Sequence, residues 1–235
     1  MKNIIKKVFF GLFSTLLVTT GLNGWDIPQV PSWNKVDIAP AYVHMDILEN
    51  GNTVHRLDMT AARLDSSFIF CGGWTIKPMF MIARGDKGHF DTVGAGFGYT
   101  LPLSESIVIT PLVGLSYSYL STRYDLHLPI GSFFTKRTYR TYSPYVGLDA
   151  VYSFGGGWRI GGSLQYAWAN SRTSVGNFAH NEKSEAQGFV SALTIEKDIT
   201  ENLSVNIGAG YNNSMTKEKH GLRGYGAKVG IAYWF

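Results

Sequence analysis

From Val36 to Phe235 the chain alternates apolar residues with polar or small ones at a period of two, and no run keeps a helical period long enough to make a helix. Successive side chains of an extended strand point to opposite faces, so each run has one apolar face and one mixed face. The pattern is cleanest where Val93, Ala95, Phe97 and Tyr99 alternate with Thr92, Gly94, Gly96 and Gly98. It returns where Ile109, Pro111, Val113, Leu115 and Tyr117 alternate with Thr110, Gly114 and Ser116. About ten such runs follow one another at a spacing of roughly twenty residues. A chain of this kind folds as sheet, and the open question is what its apolar face meets.

The first strand is expected at about Val36 to Leu48, with Ala39, Ala41, Val43, Met45 and Ile47 on the apolar face and Tyr42, His44 and Asp46 on the other. Glu49-Asn50-Gly51-Asn52 supplies turn residues that tolerate positive φ. In the second strand Leu57, Met59 and Ala61 alternate with Arg56, Asp58 and Thr60, and then the parity slips at Ala62 to Leu64, as a bulge or an early turn would make it. That strand ends either at Asp65-Ser66-Ser67 or at Cys71-Gly72-Gly73. Short connections are expected at 85–88, 102–106, 155–157 and 198–202, and two polar stretches, 121–140 and 170–184, read as long loops.

Met1 to Gly24 has the three parts of a secretory leader: Lys2, Lys6 and Lys7, then the apolar run from Val8 to Val18, then small residues with cleavage after Gly21 or Gly24. The run is shorter than the roughly 20 residues that a membrane-crossing helix needs. Residues 25–35, with Pro28 and Pro31, read as an extended periplasmic lead-in, and 36–235 as the body of the protein. The leader carries three of the 21 basic residues and none of the 17 acidic ones, which leaves the remainder near +1. No Lys/Arg cluster argues for a nucleic-acid partner. A single cysteine, Cys71, excludes a disulfide-stapled scaffold. Aromatics at 14%, 27 glycines and only 16% charged residues fit neither a disordered chain nor an ordinary soluble surface.

The stretch from Tyr225 sharpens this reading. Tyr225, Ala227, Val229, Ile231, Tyr233 and Phe235 share one face, while Gly226, Lys228, Gly230, Ala232 and Trp234 share the other. It resembles the closing strand of bacterial outer-membrane β-barrels, whose terminal pattern, a final Phe after alternate aromatic or apolar residues, is matched by Val229, Ile231, Tyr233 and Phe235. The connections sort in the same sense, short on one side and long on the other. The resemblance extends over 36–235 and is to the superfamily, including its small porin-like and opacity-type surface proteins. It implies an all-β, transmembrane, antiparallel up-and-down barrel of about ten strands, eight being the alternative, in the outer membrane of a Gram-negative bacterium. Its partners would be outer-membrane lipid and the barrel-assembly machinery, which would read Tyr233 and Phe235.

By the same parity the lumen receives Arg56, Lys77, Arg159 and Lys228 against Asp46, Asp58, Asp149 and Glu196, with His44 beside them. Four cations meet four carboxylates, and charges withdrawn from water pair with one another, so the lumen is expected to be largely filled. His44, Asp46, Arg56 and Asp58 read as a polar network at the outer rim; no Ser or Cys nucleophile is tied to His44 by a local motif, so no catalytic site is assigned. His89, His127, His180 and His220 lack the spacing of a metal site, and no cofactor is expected. The expected function is a structural, adhesin or antigen role at the surface. It would be carried by loop residues such as Tyr124, Phe133, Phe134, Lys136, Arg137, Tyr139 and Arg140, which could meet a host or environmental ligand. The alternative is a narrow passive pore for small solutes, and a membrane-embedded hydrolase ranks third.

Overall fold

The computed structural model describes residues 34–70, 72–128, 131–175 and 178–235. The leader at 1–24, most of the lead-in at 25–35 and Cys71 lie outside the described residues, as do the side chains of Tyr124, His127, Phe133, Phe134 and His180. The described residues form β1 (Lys35–Glu49), β2 (Asn52–Phe70), β3 (Trp74–Gly85), β4 (Gly88–Tyr99), β5 (Leu101–Pro102), β6 (Ile107–Leu128), β7 (Gly131–Phe154), β8 (Trp158–Val175), β9 (Phe178–Asp198), β10 (Leu203–Met215) and β11 (Gly221–Trp234). β5 carries β4 onward across Thr100, and both pair with β6, so the sheet has ten staves. Every neighbouring pair is antiparallel, and β1 closes on β11 from Lys35↔Trp234 to Leu48↔Gly221. The result is a closed up-and-down barrel.

Short turns join the staves. Asn50 (φ 52°) and Gly51 (φ 81°) make the two-residue turn between β1 and β2, the conformation that an Asn-Gly pair favours. β2 ends at Gly72-Gly73, both at positive φ, and not at Asp65-Ser66-Ser67. The two stretches read as long loops are ribbons: β6 and β7 stay paired up to Leu128↔Gly131, and β8 and β9 up to Val175↔Phe178. Both ribbons project from the end opposite Asn34 and Phe235. The Thr, Tyr and Val of these stretches are good strand formers. Beyond the bilayer both faces of a ribbon meet water, so the apolar alternation stops while the backbone pairing continues.

Around the waist the outward side chains are apolar: Ile38, Phe80, Val93, Val113, Leu148, Leu164, Leu193, Ile207 and Val229 are all exposed. Aromatic girdles bound this band, with Tyr42, Tyr117, Tyr142, Phe189, Tyr211 and Tyr225 on the ribbon side and Phe70, Tyr152, Trp158, Tyr233 and Phe235 on the other. Tyr225 and Tyr233 lie eight residues apart on β11. That is about 27 Å along a strand, which a tilt of about 40° reduces to roughly 20 Å of height, close to the ~25 Å band of outer-membrane barrels.

The facing of β1 and of the start of β2 corrects the sequence reading. Ala39, Met45 and Ile47 of β1 and Leu57 and Met59 of β2 are buried inside the barrel, whereas Ile38, Tyr42 and Val54 face outward. The parity does not slip at Ala62 to Leu64, and the β1–β2 ladder runs without irregularity from Lys35↔Ser67 to Ile47↔His55. What changes there is the surroundings. Below the girdle the outside is lipid and the inside polar; above it the outside is water, so Leu57 and Met59 turn in and Arg56 and Asp58 turn out.

This assignment sets the cost of outward charges by height. Val229→Arg at mid-band is expected to lower unfolding stability by about 2–4 kcal/mol, and Val54→Arg above the girdle by about 0–1 kcal/mol. Urea unfolding of the barrel in lipid vesicles would check both, and equal losses would contradict the placement of the band.

Candidate functional site: ionic and apolar layers in the lumen and a charged outer rim

At the end holding Asn34 and Phe235, the inward residues of six strands form one ionic cluster. Glu196 of β9 accepts from Lys35, from Arg159 Nη2 at 2.8 Å, from Ser204 Oγ at 2.7 Å and from Trp234 Nε1 at 3.0 Å. Arg159 and Lys35 also lie 4.4 and 4.9 Å from the Trp234 ring centroid, and Arg159 binds Asp198 as well. Beside this hub Lys228 Nζ donates to Asp37 Oδ2 at 2.7 Å and to Asp65 Oδ2 at 3.0 Å, and Arg63 grips Asp65 with two nitrogens. Gly230 leaves room for the Asp37 carboxylate: a Cβ there would stand 2.6 Å from Asp37 Oδ1.

Further up, Lys77 of β3 crosses to Asp149 of β7, Nζ to Oδ2 at 2.5 Å. Tyr145 lies over Gly96 and Gly114, in space that a side chain at either glycine would fill. Among the described residues the lumen thus holds Lys35, Arg63, Lys77, Arg159 and Lys228 against Asp37, Asp65, Asp149, Glu196 and Asp198, five cations and five carboxylates. The equality lets each charge removed from bulk water find a partner.

Towards the ribbons the lumen becomes apolar. Met45, Ile47, Leu57, Met59 and Ala83 pack against Leu120, with Phe90, Tyr139 and Leu222 at the edge. Leu120 is on β6, four staves from β1, and Leu57, Met59, Ala83 and Phe90 link the two along the inner wall. Above it Arg137 Nη1 of β7 donates to Glu49 Oε1 of β1 at 2.8 Å. Those strands lie diametrically opposite in the ring, so this ion pair bridges the mouth.

Of the residues expected in the lumen, Lys77, Asp149, Arg159, Glu196 and Lys228 lie there. His44, Asp46, Arg56 and Asp58 are instead brought together on the outer wall, for the reason given for β1 and β2. Asp46 lies between Arg223 (3.0 Å) and Arg56 (3.6 Å), its neighbours on the flanking strands. His44 Nδ1 is 2.7 Å from Asp58 Oδ1, its ring stacks on Tyr225 at 4.5 Å, and Tyr42 donates to the same carboxylate. The sequence reading missed Lys35, Asp37, Arg63, Asp65 and Asp198. The signal for Asp37, Arg63 and Asp65 was present: an apolar face holding Ala39 and Met59 in lipid would also have put these charges there. Tyr233 and Phe235 stack at 6.1 Å on the exposed face. Among the described residues no three His, Cys, Asp or Glu side chains converge as metal ligands.

A closed sheet with an apolar waist, two aromatic girdles and a charged interior defines an integral outer-membrane β-barrel protein of a bacterium. More narrowly, the chain belongs to the Protochlamydia outer membrane protein family, Pom, whose sequence model matches residues 78–230. Among solved structures it is similar to the outer membrane protease OmpT from Escherichia coli, at 14% identity over 91% of this chain and 99% of that one, with a TM-score of 0.59. It is also similar to the translocator domain of the autotransporter NalP from Neisseria meningitidis, at 8% identity over 100% of this chain and 98% of that one, TM-score 0.52. At such identities the likeness is one of fold. Comparison with curated proteins finds no match.

The two charged layers differ in their consequences. Lys228→Met strands the buried Asp37, leaves Asp65 to Arg63 alone, and is expected to cost about 3–5 kcal/mol. Arg56→Ala, whose side chain is 71% exposed, should cost no more than about 1 kcal/mol. Urea unfolding followed by tryptophan fluorescence measures both.

Proposed function

We propose that this protein is a sealed surface barrel, structural, adhesive or antigenic in role, whose work is done by what it presents outside the membrane and not by what passes through it. The observation that carries this reading is the Glu49–Arg137 pair, which joins opposite walls over an apolar septum, with a balanced ionic cluster beneath. The presented surfaces are the β6–β7 and β8–β9 ribbons, which would meet a host or environmental partner. The exposed Tyr233 and Phe235 would be offered to the barrel-assembly machinery during insertion.

Catalysis is not part of this reading. His44 is held between Asp58 and the Tyr225 ring on the outer wall, away from the lumen. A narrow pore is the second reading, favoured by Gly161, where an added Cβ would meet nothing nearer than 4.0 Å and the lumen therefore has room.

Recording from the refolded protein in planar bilayers separates the two. The sealed barrel is expected to give no steady conductance, and Arg137→Ala combined with Leu57→Ser and Met59→Ser should introduce one by removing the latch and wetting the septum. Steady channels in the wild type that change with Lys77 or Arg159 substitution would favour the pore.

A further inference from the structure

On the extracellular rim, the β3–β4 turn and the base of the β6–β7 ribbon enclose a hollow of about 190 Å³, lined by Arg84, Gly85, Asp86, Gly88, His89 and Arg123. It is built into the sheet. The Arg123 backbone N–H donates to the Lys87 carbonyl at 2.9 Å, fixing β6 against the turn, and the His89 ring rests 5.4 Å from that of Tyr119. Lys136 is the β7 partner of Arg123 in the ladder. Arg84 is paired with Asp91, but Arg123 and Lys136 form no ion pair among the described residues. With Lys87 in the turn, four cations face three carboxylates, Asp58, Asp86 and Asp91, and this part of the rim carries an excess of positive charge.

Its height narrows the ligand. Arg84 is two residues beyond Ile82, and Asp91 two residues before Val93, both of which are exposed in the lipid-facing band. Two residues of strand are about 7 Å, so the hollow sits where acyl chains end and headgroups begin. Guanidinium groups bind phosphate in a forked, charge-assisted geometry, and this part of the wall faces outward, where a lipid aligned along Phe80, Ile82 and Val93 would bring its headgroup. We propose that this hollow is a binding site for a phosphate-bearing headgroup of an outer-leaflet glycolipid. The site is independent of whether the lumen conducts.

The test uses the refolded full barrel carried through detergent exchange with diphosphorylated lipid A, and lipid retention read by native mass spectrometry. Wild type and a Lys197→Glu control, altered at the opposite end of the barrel, are expected to retain one lipid. Arg123→Glu with Lys136→Glu should lower retention by about tenfold or more, and dephosphorylated lipid A should not be retained. Heat-dependent gel mobility checks that the variants fold, and Arg123→Ala serves should the double variant fail to. Equal retention by a folded variant, or of the dephosphorylated lipid, would overturn the site. Binding of inorganic phosphate without retention of the lipid would make the source soluble and overturn the lipid assignment.

Discussion

Hydrocarbon offers no partner for a backbone N–H or C=O, and the whole molecule follows from that. An unpaired strand edge in the bilayer would leave several groups unsatisfied at several kcal/mol each, so the sheet has to close. The β1–β11 ladder is where it does, from Lys35↔Trp234 to Leu48↔Gly221. Closure at ten staves then fixes the interior. Inward side chains meet across a narrow space, and each charge placed there needs its counter-charge within reach.

The surroundings of the barrel change along its axis, and this decides which residues are legible in the sequence. In the waist one face meets lipid and the other a polar lumen, so the alternation of Val93, Ala95 and Phe97 with glycines gives strand, facing and environment together. Above the girdle the relation inverts. Leu57 and Met59 obey the same period but point inward, and period alone does not distinguish an apolar face in lipid from one in a septum. The ribbons fail to read as strands for a related cause, since a paired ribbon in water needs no apolar face. The ends of β6–β9 are therefore set by backbone pairing that leaves little trace in hydropathy.

The site divides in the same way. Lys77, Asp149, Arg159, Glu196 and Lys228 were readable as inward because their strands carry the lipid-facing pattern on the other parity. Their partners were not readable. Lys77 meets Asp149 across two intervening strands, and Lys35 meets Glu196 although 161 positions separate them. Such pairings come from the curvature and stagger of the closed sheet, which no local window contains. The outer-wall group of His44, Asp46, Arg56 and Asp58 was legible as a cluster, because a two-residue turn brings β1 and β2 into register, but not as an outward one.

The two layers of the lumen differ in kind. The ionic cluster is branched at Glu196, which meets Lys35 and Arg159, and at Lys228, which meets Asp37 and Asp65. The layer of Met45, Ile47, Leu57, Met59 and Leu120 offers only apolar side chains. Above it Glu49 and Arg137 tie opposite walls together. The groups that meet the outside directly are on the wall and the ribbons, above the tyrosine girdle, where Arg84, Lys87, Arg123 and Lys136 outnumber Asp58, Asp86 and Asp91.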